Sequence, residues 1–287
     1  MTATSPGGST LFGNKDIDNL KVFNEVIELG GLGNFSATDL GKMLAGKKVS
    51  CSTSLGLDSE NVNGSSTPSD LKTLFELIYL SFTAPRMDEE AYASFENRMK
   101  AQLKNLELNP MVAFSDSLTK AIYNNNPRAM RIDPADFKNI SYPRIMEMYK
   151  ERFGDASGFV FTFVGNIDTD SIRPLVEQYL ATLPANGKIE QGNPKEVPAI
   201  RKGDYVNRFK RQMETPKASV VNFYSGQMDY NLENIVTATM LKQVLDLIYT
   251  EKVREDEGGT YGVQTSARIS SFPEGQTFLQ AYFDTDP

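Results

Sequence analysis

Residues 254–263, REDEGGTYGV, set a guanidinium and a phenol seven positions apart across a double glycine. The pattern predicts Arg254 in the last turn of a helix, a chain reversal at Gly258-Gly259, and Tyr261 at the start of a strand. Such an arrangement aims a fixed cation and a hydroxyl donor at one spot beside a sheet edge. There they would bind the carbonyl of an extended peptide and stabilise charge developing on its oxygen. Ordinary element-ending chemistry accounts for the same residues. Arginine suits a helix C-terminus through the macrodipole, Gly-Gly stops a helix, and tyrosine favours strands. The residues alone leave both accounts open.

Other candidate constellations are poorer. Two Ser-x-x-Lys tetrads occur, Ser69 to Lys72 and Ser117 to Lys120. A Ser-Lys acyl-transfer site also needs a Lys-Thr-Gly strand and a Ser-x-Asn element, and neither lies downstream of Ser69. Ser69 instead sits at a proline-marked helix start, where capping explains it. The glycines of Gly30-Gly31-Leu32-Gly33 follow a helix instead of a strand, which is a helix stop and not a phosphate loop. Asp168, Asp170, Asp284 and Asp286 lack the repeating spacing of a calcium loop and suit turns and caps.

Composition excludes more than any motif. The 287 residues include no histidine, no tryptophan and one cysteine, Cys51. Without imidazole there is no Ser-His-Asp or Cys-His nucleophile, no histidine-ligated zinc and no histidine acid–base. Cys51 alone makes no internal disulfide and no multi-thiolate metal site. A net charge of −7 disfavours a nucleic-acid partner. Apolar runs of only a few residues predict no membrane insertion. The opening MTATSPGGST has no basic or apolar leader pattern and predicts a disordered end.

The elements that must position these residues follow from periodicity. Apolar spacing predicts a helix over 18–29, a Ser36-capped helix, a hairpin over 48–66, and a helix from Pro68 to Phe82. Further helices are expected from Asp88 to about 108, over 111–123 and from Pro143 to Phe153, and GFVFTFVGN reads as a buried strand. Asp170 is the expected cap of the next helix. The Pro- and Gly-rich stretch 184–203 has the look of an interdomain linker. Beyond it come strands YVNRFKRQM and KASVVNFYSG, a helix over 232–255, and strands TYGVQTSARIS and QTFLQAYFD. Helix, glycine stop and two strands occur at both 18–66 and 232–284, a weak structural repeat. The fold class is therefore α+β, two-layer domains with mostly antiparallel sheets faced by helices.

Four segments in order, GNFSATDLGKMLAGKKVS, LFELIYLSFTAPRMDEEAYASF, MYKERFGDASGFVFTFVGN and REDEGGTYGV, resemble the pitrilysin/insulinase family of zinc peptidases. The likeness runs from about Leu11 to Pro287 and is to the C-terminal, non-catalytic half of large bacterial members. It implies the fold of mitochondrial-processing-peptidase-like metallohydrolases. It also places Val22, Glu25 and Val26 where active halves carry the H-x-x-E-H zinc motif, so both histidine positions are valine. By the same resemblance Arg254 and Tyr261 are the substrate-binding pair that this half lends to the active site.

The implied organisation is a first peptidase-like domain over 1–187 lacking its leading strands, a linker over 188–203, and a second domain over 204–287 that stops early. The resemblance implies no metal in this chain, zinc in a separate N-terminal catalytic half, that half and a peptide as partners, and a periplasmic location. The expected role is substrate binding and closure of a proteolytic chamber, without activity alone. The alternative is a stand-alone pseudo-enzyme serving as a peptide-binding or assembly subunit of a heterodimeric processing peptidase.

Overall fold

The structure, a computed structural model, describes residues 1–256, 260 and 262–286, with 254–256 described for backbone only. The chain forms two compact units, Met1–Asn105 with Arg131–Val197, and Leu106–Met130 with Pro198–Pro287. The chain thus passes between units near 105, 130 and 197. Residues 106–130, assigned by sequence to the first domain, group with the second. Part of the expected linker belongs to the first unit, where the Asn193 N–H donates to the Thr10 hydroxyl at 2.9 Å and Arg152 pairs with Glu190.

The first unit is built on an antiparallel sheet in the order β2-β3-β1-β4, formed by β1 (Thr2–Pro6), β2 (Val49–Leu55), β3 (Ser59–Ser66) and β4 (Val160–Thr162). The expected disordered N-terminus is corrected here. β1 lies inside the sheet, pairing with β3 and β4, and Ala3 is fully buried. Its alternation of small and hydroxylated residues carries no large apolar side chain, so only the strands on either side reveal it. Gly7 and Gly8 turn the chain out of β1. Gly8 has φ +78°, and a Cβ there would lie 2.5 Å from the Asp58 nitrogen. Its N–H donates to the buried Glu60 carboxylate at 2.9 Å.

Helices α4 (Leu71–Thr83) and α7 (Tyr142–Phe153) supply the core of this unit. Leu74, Phe75, Ile78 and Phe82 recur at helical spacing on α4 and are buried. On α7, Ser141 caps the first turn, and Ile145, Met146, Tyr149 and Phe153 are buried. Each such side chain contributes about 1.5–3 kcal/mol by leaving water. The Tyr149 hydroxyl, buried with them, donates to the Ser81 carbonyl at 2.9 Å.

Three further expectations change. β4 is a three-residue edge strand, not a buried one. Phe159, Phe161 and Phe163 turn inward, while Val160 and Val164 are 70% and 86% exposed. The apolar run conceals a period of two. The helix over 18–29 is two single turns, α1 (Ile17–Leu20) and α2 (Phe23–Val26), separated at Val22 (φ −121°, ψ 5°). After the Ser36-capped α3 (Ala37–Met43) come α5 (Glu89–Leu106), α6 (Pro110–Tyr123) and α8 (Thr169–Leu175). The α8 cap is Asp168, which accepts from the Asp170 N–H, so Asp170 is inside the first turn.

The second unit carries an antiparallel sheet in the order β5-β7-β6, of β5 (Ala218–Gln227), β6 (Val263–Ser271) and β7 (Glu274–Thr285), with α9 (Leu232–Tyr249) against β6. α9 starts at Asn231, whose side chain accepts from the Asn234 N–H at 2.8 Å. YVNRFKRQM is not a strand: 204–213 has no helix, strand or turn. The alternation is strand-like, but among the described residues no neighbouring strand completes it.

Candidate functional site

Arg254 and Tyr261 are carried by the connection between α9 and β6. α9 is regular to Tyr249, then widens into π-helical winding over Thr250–Asp256, a form that recurs at functional sites. β6 begins at Val263, three residues later than the predicted strand, and pairs with Phe283 of β7. Just before it, the Thr260 hydroxyl accepts from the Gly262 N–H at 3.3 Å. The side chain of Arg254 and the whole of Tyr261 lie outside the described residues.

What the structure describes is the frame around them. Asp246 on α9 accepts from the Thr265 N–H at 3.1 Å and from the Thr265 hydroxyl at 2.5 Å. Lys242 pairs with the same carboxylate at 2.7 Å. Burial would raise the Asp246 carboxyl, but Lys242 and Thr265 together hold it below its ordinary range. The clamp fixes helix to strand on both sides of residues 254–261. No sequence signal announces it, because an aspartate on a helix and a threonine nineteen residues later show no pairing.

Val22, Glu25 and Val26 occupy the other predicted position. Val22 and Val26 are fully buried, with Phe23 between them at 1% exposure. Glu25 points to solvent. Two methyl-bearing side chains sealed in a core and one surface carboxylate do not make a zinc site, and the chain offers no histidine to complete one. Among the described residues no three His, Cys, Asp or Glu side chains gather as metal ligands. The residues present do not fit zinc.

The same turn does something the sequence did not suggest. The Asn24 side chain accepts from the Leu55 N–H at 2.8 Å and donates to the Leu55 carbonyl at 3.2 Å. Glu28 accepts from the Thr53 N–H at 3.0 Å. Both residues thereby occupy the outer edge of β2, the terminal strand of its sheet.

The serines of the two Ser-x-x-Lys tetrads are held in ordinary contacts among the described residues. The Ser69 hydroxyl bonds the Thr67 hydroxyl at 2.9 Å, and Lys72 pairs with Glu76 at 3.8 Å. Ser117 accepts from Asn207 at 2.7 Å. Burial pushes the Cys51 thiol up to about 12, so it stays protonated.

Residues 139–287 match the sequence profile of the peptidase M16 inactive domain. The probable zinc protease PqqL of Haemophilus influenzae is 21% identical over 267 residues, covering 92% of this chain and 28% of that protein. The chain thus spans somewhat over a quarter of that relative's length. Among solved structures, the periplasmic protease PqqL of Escherichia coli superposes with a TM-score of 0.82 at 18% identity, over all of this chain and 31% of that one. A peptidase M16 inactive domain from Pseudomonas fluorescens gives 0.70 at 17% identity, over 99% of this chain and 68% of that one. The fold and the resemblance read from the sequence are borne out: the chain belongs to the peptidase M16 inactive domain family.

Proposed function

We propose that this chain is the non-catalytic half of a zinc endopeptidase, binding peptide substrate and closing the proteolytic chamber, and inactive alone. The carrying observation is the zinc-motif position itself, two core valines and an outward glutamate within a family of zinc-protease relatives. Any catalytic zinc therefore belongs to a separate N-terminal half, the partner. In this role Tyr261 donates a hydrogen bond to the scissile carbonyl oxygen, and Arg254 holds the substrate main chain. α9 supports a missing partner as well. Leu232, Met240 and Leu247 are 77%, 60% and 73% exposed, an apolar surface left open on a helix that also packs against β6. By analogy with the Escherichia coli relative, described as periplasmic, the location is the periplasm. No described helix is long and apolar enough to cross a membrane.

The test is reconstitution. A fluorogenic peptide should be untouched by the purified chain and cleaved faster when this chain joins the catalytic half. Proteolysis by the chain alone, or a catalytic half indifferent to its addition, overturns the reading.

A further inference from the structure

Residues 201–211, RKGDYVNRFKR, hold five basic residues and one acidic residue in a chain whose net charge is −7. Lys202, Arg208, Lys210 and Arg211 make no ion pair or side-chain hydrogen bond among the described residues. Apolar side chains interleave with them and are exposed, Tyr205 at 53%, Val206 at 76% and Phe209 at 45%. Four unpaired cations and three exposed apolar groups make this ribbon unlike the rest of an acidic surface.

The ribbon is nevertheless held in place. The Arg201 N–H donates to the Ile122 carbonyl at 2.7 Å. Its Nε donates to the Ala121 carbonyl at 2.6 Å, and its guanidinium lies 3.9 Å from the Tyr205 ring centre. Asn207 donates to the Ser117 hydroxyl at 2.7 Å. Anchored twice along α6, the segment has already lost much of the freedom that binding would otherwise remove. Its main chain is unused: residues 202–217 make no backbone–backbone hydrogen bond with any described residue. Paired as a strand, the alternation would put Asn207 on the α6 side and Val206, Arg208 and Lys210 together on the other.

We propose that residues 202–211 are a docking strand for an acidic, extended peptide segment of a partner protein. The partner adds edge-on, its main chain pairing with the free N–H and C=O groups and its carboxylates meeting Lys202, Arg208 and Lys210. A peptide fits better than a long polyanion or an anionic bilayer. Either of those would also meet the net-negative remainder of the surface, whereas a short segment meets the ribbon alone. Residues 202–211 are separate in sequence from Arg254 and Tyr261, and the test needs no peptidase activity.

The experiment is fluorescence anisotropy on the whole chain with a labelled peptide of about eight residues alternating glutamate and valine. Saturable binding is expected, weakened about tenfold or more by Arg208→Glu with Lys210→Glu and by added salt. A Lys42→Glu variant, remote in sequence and exposed, should bind as the parent does. Amides of 205–211 should gain exchange protection when the peptide is bound. The proposal is overturned by no binding, by equal binding of a glutamine–valine peptide, by an unaffected charge-reversed variant, or by absent amide protection. It is equally overturned if anionic vesicles or duplex oligonucleotide displace the peptide from the ribbon at lower concentration than unlabelled peptide does.

Discussion

Asp246 and Thr265 join α9 to β6 through two hydrogen bonds on one carboxylate, to the N–H at 3.1 Å and the hydroxyl at 2.5 Å. Thr265 is 7% exposed, so its donors have little access to water. Asp246→Ala strands a buried N–H, and the expected loss is about 1–3 kcal/mol in denaturant unfolding. Thr265→Ser retains both donors and should cost distinctly less. If the two variants unfold alike, the clamp is not what holds this helix to this strand.

The second prediction concerns Tyr261. With the catalytic half present, Tyr261→Phe should lower kcat on the order of 10²-fold with little change in KM, as removal of an oxyanion donor does. Arg254→Ala should act chiefly on KM, since a group holding the substrate main chain binds ground state and transition state alike. Equal kinetics for parent and Tyr261→Phe would reduce the phenol to packing.

These sites differ in how far the sequence disclosed them. Ser36 and Pro68 mark helix starts by local chemistry, and the structure places α3 and the turn before α4 accordingly. Leu74, Phe75, Ile78 and Phe82 fix the buried face of α4 by periodicity alone. β1 is different. Thr2 to Pro6 carry no large apolar group, and their burial depends on partners about sixty and one hundred and sixty residues away. The absence of histidine excludes a histidine-ligated zinc site at once. Asn24, Glu28 and Asp246 were invisible because each is polar, and its role is defined by a backbone group distant in sequence.

A third prediction uses acid. Lys21 pairs with Asp18 at 3.0 Å and with Asp136 at 3.1 Å, tying α1 to the turn at 136–139. Burial would raise Asp18, but Asn139 and Lys21 hold it below its ordinary value. Burial would lower Lys21, but Asp18 and Asp136 hold it above. A depressed carboxyl stabilises the fold above its unfolded pKa, and that contribution disappears as pH falls through the folded value. An elevated lysine contributes fully below its unfolded pKa, so its share is lost only at strongly alkaline pH. Stability should therefore fall on acidification below about pH 4. In Asp18→Asn that fall should be shallower than in the parent. Superimposable acid limbs would remove Asp18 from the account.

The last prediction returns to α2, where the zinc-motif position became a seam. Asn24 uses both halves of its amide on Leu55, and Glu28 takes the Thr53 N–H, so α2 and the residues after it seal the outer edge of β2. An open edge is a template for strand addition, and side chains that satisfy its donors and acceptors block it. Asn24→Ala with Glu28→Ala should expose that edge. Destabilisation of about 1–3 kcal/mol is expected for each backbone donor left unpaired in a partly buried setting. Self-association should appear in sedimentation at concentrations where the parent shows none. Asn24→Asp tests geometry against charge, because it keeps an acceptor for the Leu55 N–H but sets an anion against the Leu55 carbonyl. It should fall between the parent and Asn24→Ala in stability without opening the Thr53 end of the edge. If the double variant neither loses stability nor associates, the side-chain bonds to β2 are incidental and another feature protects the strand.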